Sequence, residues 1–279
     1  GGAANVALNI KSLGAEAILC SVIGNDNQAD VFLALMEKAG LKTDGIIRSN
    51  NRITTTKYRI IGNRMQMLRV DEEMDTDLNV ADSSELLASI SNLIATQKPD
   101  VMILQDYNKG VLSSYVIEKL AEIAADAGIA VAVDPKKKNF TAYKGITLFK
   151  PNLKEIGEGL KTEVDPFSIE SLQKAAEILH ISQDIPIVMI TLSENGVFIS
   201  SKSDSGDVSV IIPAVLRSIS DVSGAGDTVI SVASLCLATH TDPVFMATLS
   251  NLAGGLVCEE SGVVPVDKIR LMVEAFTQE

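Results

Sequence analysis

The sequence contains no tryptophan, two histidines and three cysteines. The histidines, His180 and His240, lie far apart and lack metal-ligand spacing. That argues against zinc chemistry and against a Ser-His-Asp triad. Cys20, Cys236 and Cys258 are equally dispersed, with no Cys-x-x-Cys pair. They read as small buried residues of a reduced, cytoplasmic protein, not as a disulfide framework. Lys/Arg-rich blocks are absent and the formal net charge is −12, so nucleic acid is not an expected partner. Phosphorylated ligands stay compatible with that charge through a few local cations. No secretory signal is visible, and the longest uncharged run, Pro243 to Cys258, falls short of a membrane span.

What is present is a large apolar fraction: 46% of 279 residues are hydrophobic and 22% charged, enough for one large α/β domain or two smaller ones. Periodicity predicts helices over Ala3–Leu13, Gln28–Ala39, Ser83–Thr96, Ser114–Ala127 and Ile169–His180. In the second of these, Val31, Leu35 and Met36 share one face. Strands are predicted over Glu16–Val22, Asp100–Leu104, Ile129–Val133, Ile146–Phe149, Ile187–Thr191, Val197–Ser200 and Val208–Ile212. Three helices close the chain, the first two over Thr228–Ala238 and Val244–Cys258. Continuous Val/Ile/Leu strands alternating with helices imply an α/β fold with a mainly parallel sheet covered on both faces. Ligands of such sheets lie at the carboxyl ends of the strands. Between Asp44 and Asp71 the pattern changes to short β runs, Ile46-Ile47, Thr54–Ile61 and Met65–Val70, with Gly62-Asn63 as a hairpin turn. This stretch reads as a small β appendage to the main sheet.

The chain is organised around Asp221-Val222-Ser223-Gly224-Ala225-Gly226-Asp227, between the last strand and an apolar helix. A Gly-Ala-Gly turn at a helix start leaves backbone N–H groups unpaired, and with the helix dipole they form a seat for an anion. A carboxylate in the first turn is well placed to take a proton from a hydroxyl attacking that anion. A plain turn with Asp227 compensating the dipole is the competing reading. Other strand ends carry Asp106-Tyr107-Asn108-Lys109-Gly110, Lys150-Pro151-Asn152-Leu153-Lys154-Glu155 and Thr191-Leu192-Ser193-Glu194-Asn195-Gly196. Asn152 and Glu155 have capping-box spacing, and they equally suit a phosphate and its Mg²⁺ met through water. Gly254-Gly255 inside an apolar helix costs roughly 1 kcal/mol per glycine against alanine, which calls for a packing or ligand reason.

Together these residues resemble the ribokinase/PfkB family of small-molecule kinases, over nearly the whole chain. The family's first signature appears as Gly1-Gly2-Ala3-Ala4-Asn5, Gly14 and Gly24-Asn25-Asp26; its second is Asp221 to Asp227, with Ser223 where threonine is common. The Asn-x-x-Glu element is matched by Asn152 and Glu155. Within the family the chain looks most like the heptose 7-phosphate kinases, the kinase part of ADP-heptose synthases. That likeness rests on Arg52 to Arg59, Gln66 to Asp71, Asp106 to Leu112 and Val133 to Lys136. The opening Gly1-Gly2, without an initiator methionine, leads us to expect a preceding strand upstream, where the family keeps a sugar-binding aspartate. Such synthases often fuse a nucleotidyltransferase; with none in the sequence up to Glu279, the expectation is either a cut-out domain or a second activity on another protein.

The resemblance implies a single ribokinase-like domain over 1–279, a three-layer α/β/α fold with a β lid inserted at about 44–71. It implies an ATP-dependent sugar kinase with Asp227 as base and Gly224, Ala225 and Gly226 as the anion hole. Asn152, Leu153, Lys154, Glu155, Thr191, Ser193, Gly196, Asn251 and Gly254 would bind ATP, with Glu155 holding Mg²⁺ through water. Gly2, Asn5 and Asp106 would meet sugar hydroxyls, and Lys57, Arg69 and Lys109 the distal phosphate. Many relatives add a monovalent cation such as K⁺ near Asp221 to Ser223, and the lid often closes over the sugar and forms a homodimer. Other acceptors of the family, ribose, fructose or adenosine, and a non-catalytic binding role on the same fold are the alternatives.

Overall fold

The computed structural model describes residues 1–62, 65–203 and 206–277. In chain order the elements are α1 (Gly2–Ser12), β1 (Ser21–Gly24), α2 (Asn27–Lys38), β2 (Ile46–Ser49), β3 (Thr56–Gly62), β4 (Met65–Glu72), α3 (Val80–Gln97), β5 (Val101–Gln105), α4 (Ser114–Ala127) and β6 (Ala130–Asp134). They continue with β7 (Leu148–Phe149), α5 (Leu153–Leu160), α6 (Ile169–Gln183), β8 (Ile187–Thr191), β9 (Val197–Ser201), β10 (Val208–Ile212), α7 (Ala225–Ala238), α8 (Pro243–Cys258) and α9 (Lys268–Thr277). Helix starts follow their caps: Asp26, Asn79, Ser168 and Asp242 each accept a first-turn N–H, and Pro243 occupies the first turn of α8. Among the described residues no helix is long and apolar enough to cross a membrane.

The chain divides into two compact units. The first comprises Gly1–Ala17, Pro99–Tyr107 and the chain from Ile117 onwards. It holds a six-stranded sheet in the order β10-β9-β8-β7-β6-β5. The pairs from β5 to β8 are parallel, and the β8–β9 and β9–β10 pairs are antiparallel, so β9 alone runs against the rest. Successive strand residues face opposite sides of a sheet. On β6, Val131, Ala132 and Val133 are nonetheless all buried, so both faces are covered. One face joins a core of Val6 and Ile10 from α1 and Val229, Ile230, Ala233, Ala247 and Ala253 from α7 and α8.

The second unit comprises Ile18–Lys98 and Asn108–Val116. It contains the segment 44–71 read as an appendage, and it extends beyond it. The parallel pair β1–β2 runs from Ser21↔Ile46 to Gly24↔Ser49, and β3–β4 is an antiparallel ribbon with a register shift between Ile60 and Ile61. Asn63 of the expected hairpin turn lies outside the described residues. The strand expected over Glu16–Val22 shrinks to Ser21–Gly24, because Ile18 makes only an isolated bridge to Lys42. The face expected for α2 is also different: Met36 is buried, with Ala29 beside it in the inward stripe, while Val31 and Leu35 are 53% and 58% exposed. The ribbon carries exposed apolar side chains, Tyr58, Ile60, Ile61, Met67, Leu68 and Val70.

Candidate active site

Parallel strands bring their carboxyl ends to one edge, and the sheet order sets which residues meet there. β5 ends on Gln105, paired in register with Asp134 at the end of β6. β7 ends one residue before Lys150, beside β6. α7 packs on β5 and β6. Its N-cap is Gly224, whose φ of 86° lies in the left-handed region where glycine carries no Cβ penalty. The N–H groups of Gly224, Gly226 and Asp227 have no hydrogen-bond partner among the described residues. The Ala225 N–H donates to Val222 O at 3.3 Å, so the expected three-amide cradle is corrected: Ala225 drops out and the Asp227 amide is free instead.

Asp227 is 7% exposed and fully engaged. Asn5 Nδ2 donates to its Oδ2 at 2.9 Å; Tyr107 Oη and Gln105 Nε2 donate to its Oδ1 at 2.9 and 3.2 Å. Burial raises its pKa above the ordinary aspartate value, against the hydrogen bonds from Asn5 and Tyr107; Asp134 adds to the rise and Lys150 opposes it. The result is a carboxylate more basic than a free aspartate, a direction suited to proton abstraction. Beside it, Lys150 Nζ lies 3.2 Å from Asp134 Oδ2, and these side chains are 3% and 6% exposed. Gln105 Nε2 also donates to Asp134 Oδ2 at 3.0 Å. A Cβ on Gly226 would stand 3.8 Å from Lys150 Nζ, so the buried cation adjoins the free amides. Tyr107, Gln105, Asp134 and Lys150 were not given roles by sequence. The available signal was their position at adjoining strand ends.

Asn152 and Glu155 form the anticipated capping box of α5: Asn152 Oδ1 accepts the Glu155 N–H at 2.8 Å, and Glu155 Oε2 accepts the Asn152 N–H at 2.9 Å. Glu155 Oε1 is taken by Lys136. Glu155 and Asp134 are thus each paired with a lysine, and among the described residues no group of three or more His, Cys, Asp or Glu is placed to hold a metal ion. With both Glu155 oxygens engaged, a Mg²⁺ ion at this site would have to be held mostly by phosphate and water oxygens and not in a protein cage.

The remaining expected positions divide. The Thr191 N–H donates to Pro151 O at 3.1 Å, which joins the end of β8 to the α5 cap, with Leu153 and the exposed Lys154 following in the first turn. Ser193 begins a short 3₁₀ turn with φ 55°. Gly196 is a packing glycine: a Cβ there would meet Ile212 O at 2.0 Å. Asn251 Nδ2 donates to Pro213 O at 2.9 Å and holds the end of β10. Gly254 lets α8 approach α7, since its Cβ would come within 2.8 Å of Val229 Cγ2. Neither glycine needs a nucleotide to explain it. Asp106 departs from the expectation of a sugar ligand: it is 2% exposed, and its Oδ2 accepts from Tyr143 at 2.9 Å and Asn139 at 3.1 Å. Burial removes it from solvent and gives it a structural task. Gly2 faces the Tyr107 ring, and Asn5 holds Asp227. In the second unit, Lys57 and Arg69 pair with Asp71 at 3.4 and 3.0 Å, and Lys109 pairs with Glu73.

Residues 1–269 match the pfkB family carbohydrate kinase profile. The bifunctional protein HldE of Methylobacillus flagellatus is 37% identical over 280 residues, covering 100% of this chain and 56% of that protein. HldE of Caulobacter sp. (strain K31) is 38% identical over 272 residues, covering 96% of this chain and 54% of its own length. The chain therefore spans about half the length of these curated relatives. The crystal structure of phosphofructokinase-2 from Escherichia coli in complex with potassium superposes with a TM-score of 0.78 at 18% identity, covering 99% of this chain and 87% of that one. Arabidopsis thaliana ribokinase complexed with ribose and ATP gives 0.73 at 16%, covering 98% and 86%. These two establish the ribokinase-like fold.

Proposed function

The chain belongs to the pfkB family of carbohydrate kinases and is an ATP-using sugar kinase, and on that premise we propose that its acceptor is D-glycero-D-manno-heptose 7-phosphate. In this reading the anomeric hydroxyl attacks the γ-phosphorus of ATP. A new O–P bond forms, the bond to the β,γ-bridging oxygen breaks, and the hydroxyl proton passes to Asp227. Phosphoryl transfer demands mainly positioning and charge neutralisation. The free N–H groups of Gly224, Gly226 and Asp227 and the buried Lys150 supply the second. Mg²⁺, when bound, supplies further charge neutralisation on the phosphate oxygens. The observation that carries the reading is the buried Asp227 carboxylate adjoining those amides, in a chain whose HldE relatives match it end to end.

The same reading keeps Lys57, Arg69 and Lys109 as anion ligands that exchange their carboxylate partners for a phosphate. It also keeps a monovalent cation near Asp221 to Ser223, a homodimer through the exposed apolar β3–β4 ribbon, and a cytoplasmic location. An acceptor panel on the full-length protein tests the substrate, with ³¹P NMR following transfer from ATP to the heptose 7-phosphate, ribose, fructose and adenosine. The heptose 7-phosphate is expected to react with the highest kcat/KM. An unphosphorylated sugar reacting equally well would remove the distal phosphate from the account.

A further inference from the structure

One of the hydrogen bonds on Asp227 comes from a hydroxyl. Tyr107 Oη donates to Oδ1 at 2.9 Å, which is the type of donor that a sugar alcohol presents to a general base. The ring carrying it is packed against the chain at Gly2: a Cβ there would stand 1.9 Å from Cε2 and 2.2 Å from Oη, so only glycine leaves room. Gly2 and Asn5 are the positions at which sugar hydroxyls are expected, and here they surround the tyrosine hydroxyl and its carboxylate. The ring is not sealed in. Tyr107 is 43% exposed, and Asn108 after it takes a left-handed turn with φ 53°.

We infer that the Tyr107 hydroxyl is a placeholder for the acceptor: it occupies Oδ1 of Asp227 in the sugar-free enzyme, and the sugar hydroxyl displaces it. The inference rests on the reading of Asp227 as the base. It deepens that reading by giving the sugar-free site a way to keep water from the base while ATP is bound. Three consequences follow. The acceptor competes with an internal hydroxyl, so its apparent affinity is reduced. Water is kept from Oδ1, so ATP hydrolysis without sugar is suppressed. The hydrogen bond from Tyr107 opposes the rise in the pKa of Asp227, and that opposition exists only before the sugar binds. The other charged groups facing this carboxylate, Asp134 on β6 and Lys150 after β7, are the same in both states, and Lys136 Nζ lies 5.8 Å from the tyrosine ring centroid.

Tyr107→Phe in the full-length protein tests it, because phenylalanine keeps the ring on Gly2 and deletes only the donor. With ATP and D-glycero-D-manno-heptose 7-phosphate, kcat/KM reports the ionisation of the free enzyme and kcat that of the ternary complex. The acid limb of kcat/KM is expected to move to higher pH while the acid limb of kcat stays in place. The acceptor KM should fall and sugar-free ATP hydrolysis rise, each by roughly 2- to 10-fold, the fold-change of one net hydrogen bond. If both limbs move together, Tyr107 stays on Asp227 through turnover and the placeholder is overturned. If neither limb moves and KM is unchanged, the tyrosine is only structural and the inference fails. Failure of the base assignment is a separate event, registered by turnover that persists in Asp227→Asn.

Discussion

Replacing Lys150 by methionine separates the electrostatics of this site from its packing. The side chain is 3% exposed and lies 3.2 Å from Asp134 Oδ2. Methionine fills nearly the same volume, so the perturbation is the loss of a charge. Truncating one member of a buried ion pair leaves the other uncompensated and costs roughly 3–5 kcal/mol. For a chain of this size each kcal/mol lowers Tm by roughly 2–4 °C, which places the expected shift at roughly 6–20 °C. Thermal unfolding of Lys150→Met, Asp134→Asn and the double variant forms a cycle. The double variant should recover part of the loss, because position 134 then carries no charge, while the buried Asp227 still lacks the nearby cation. The same substitution removes a cation that opposes the raised pKa of Asp227, so the acid limb of activity should move to higher pH. A Tm within 2 °C of wild type, or a double variant no better than Lys150→Met, would refute the reasoning.

As the proposed base, Asp227 would act ionised, so activity should fall as pH drops through a value above the ordinary aspartate range, read from the pH profile of kcat/KM. The stability sign is opposite. A raised carboxylate favours the fold at low pH, and that contribution is lost as pH rises through the folded value. The stability of Asp227→Asn relative to wild type, measured by urea unfolding, should therefore improve from acid to neutral pH. Asn152→Ala removes the α5 cap and should cost about 0.5–2 kcal/mol in the same assay. Gly196→Ala drives a Cβ to within 2.0 Å of Ile212 O at φ 96°, whereas Gly128→Ala, with φ 67°, meets nothing within 4 Å. The first should lose more stability than the second by at least about 1 kcal/mol, and equal losses would show that the clash relaxes.

Local signals carried far in this chain. Ser114–Ala127 is found as expected, because its apolar spacing leaves no second reading. The Gly-Ala-Gly-Asp start of α7 pointed to a buried carboxylate beside unpaired amides, although the Ala225 amide of the trio donates to Val222 O. Asn79 shows a start that periodicity missed: its side chain caps α3 and begins it at Val80, while periodicity alone placed the start at Ser83. Long-range geometry was less legible. Lys150 and Asp134 lie at strand ends, yet neither has a local pattern marking it as buried, because their pairing depends on β6 and β7 being neighbours. Asp106 illustrates the reverse error. A loop acid at a strand end reads as a ligand, and only the positions of Tyr143 and Asn139 turn it into a buried structural group. Gly196 and Gly254 looked like ligand glycines for the same reason; the backbone and side chain they accommodate lie 16 to 25 residues away in sequence.

Single-turnover phosphoryl transfer by the full-length protein carrying Asp227→Asn, with ATP binding followed in parallel, bears most directly on the proposal that Asp227, in the first turn of α7, is the base. The account predicts near-native nucleotide affinity and a transfer rate lower by roughly 10²–10⁴-fold or more. Transfer at close to the wild-type rate would contradict it.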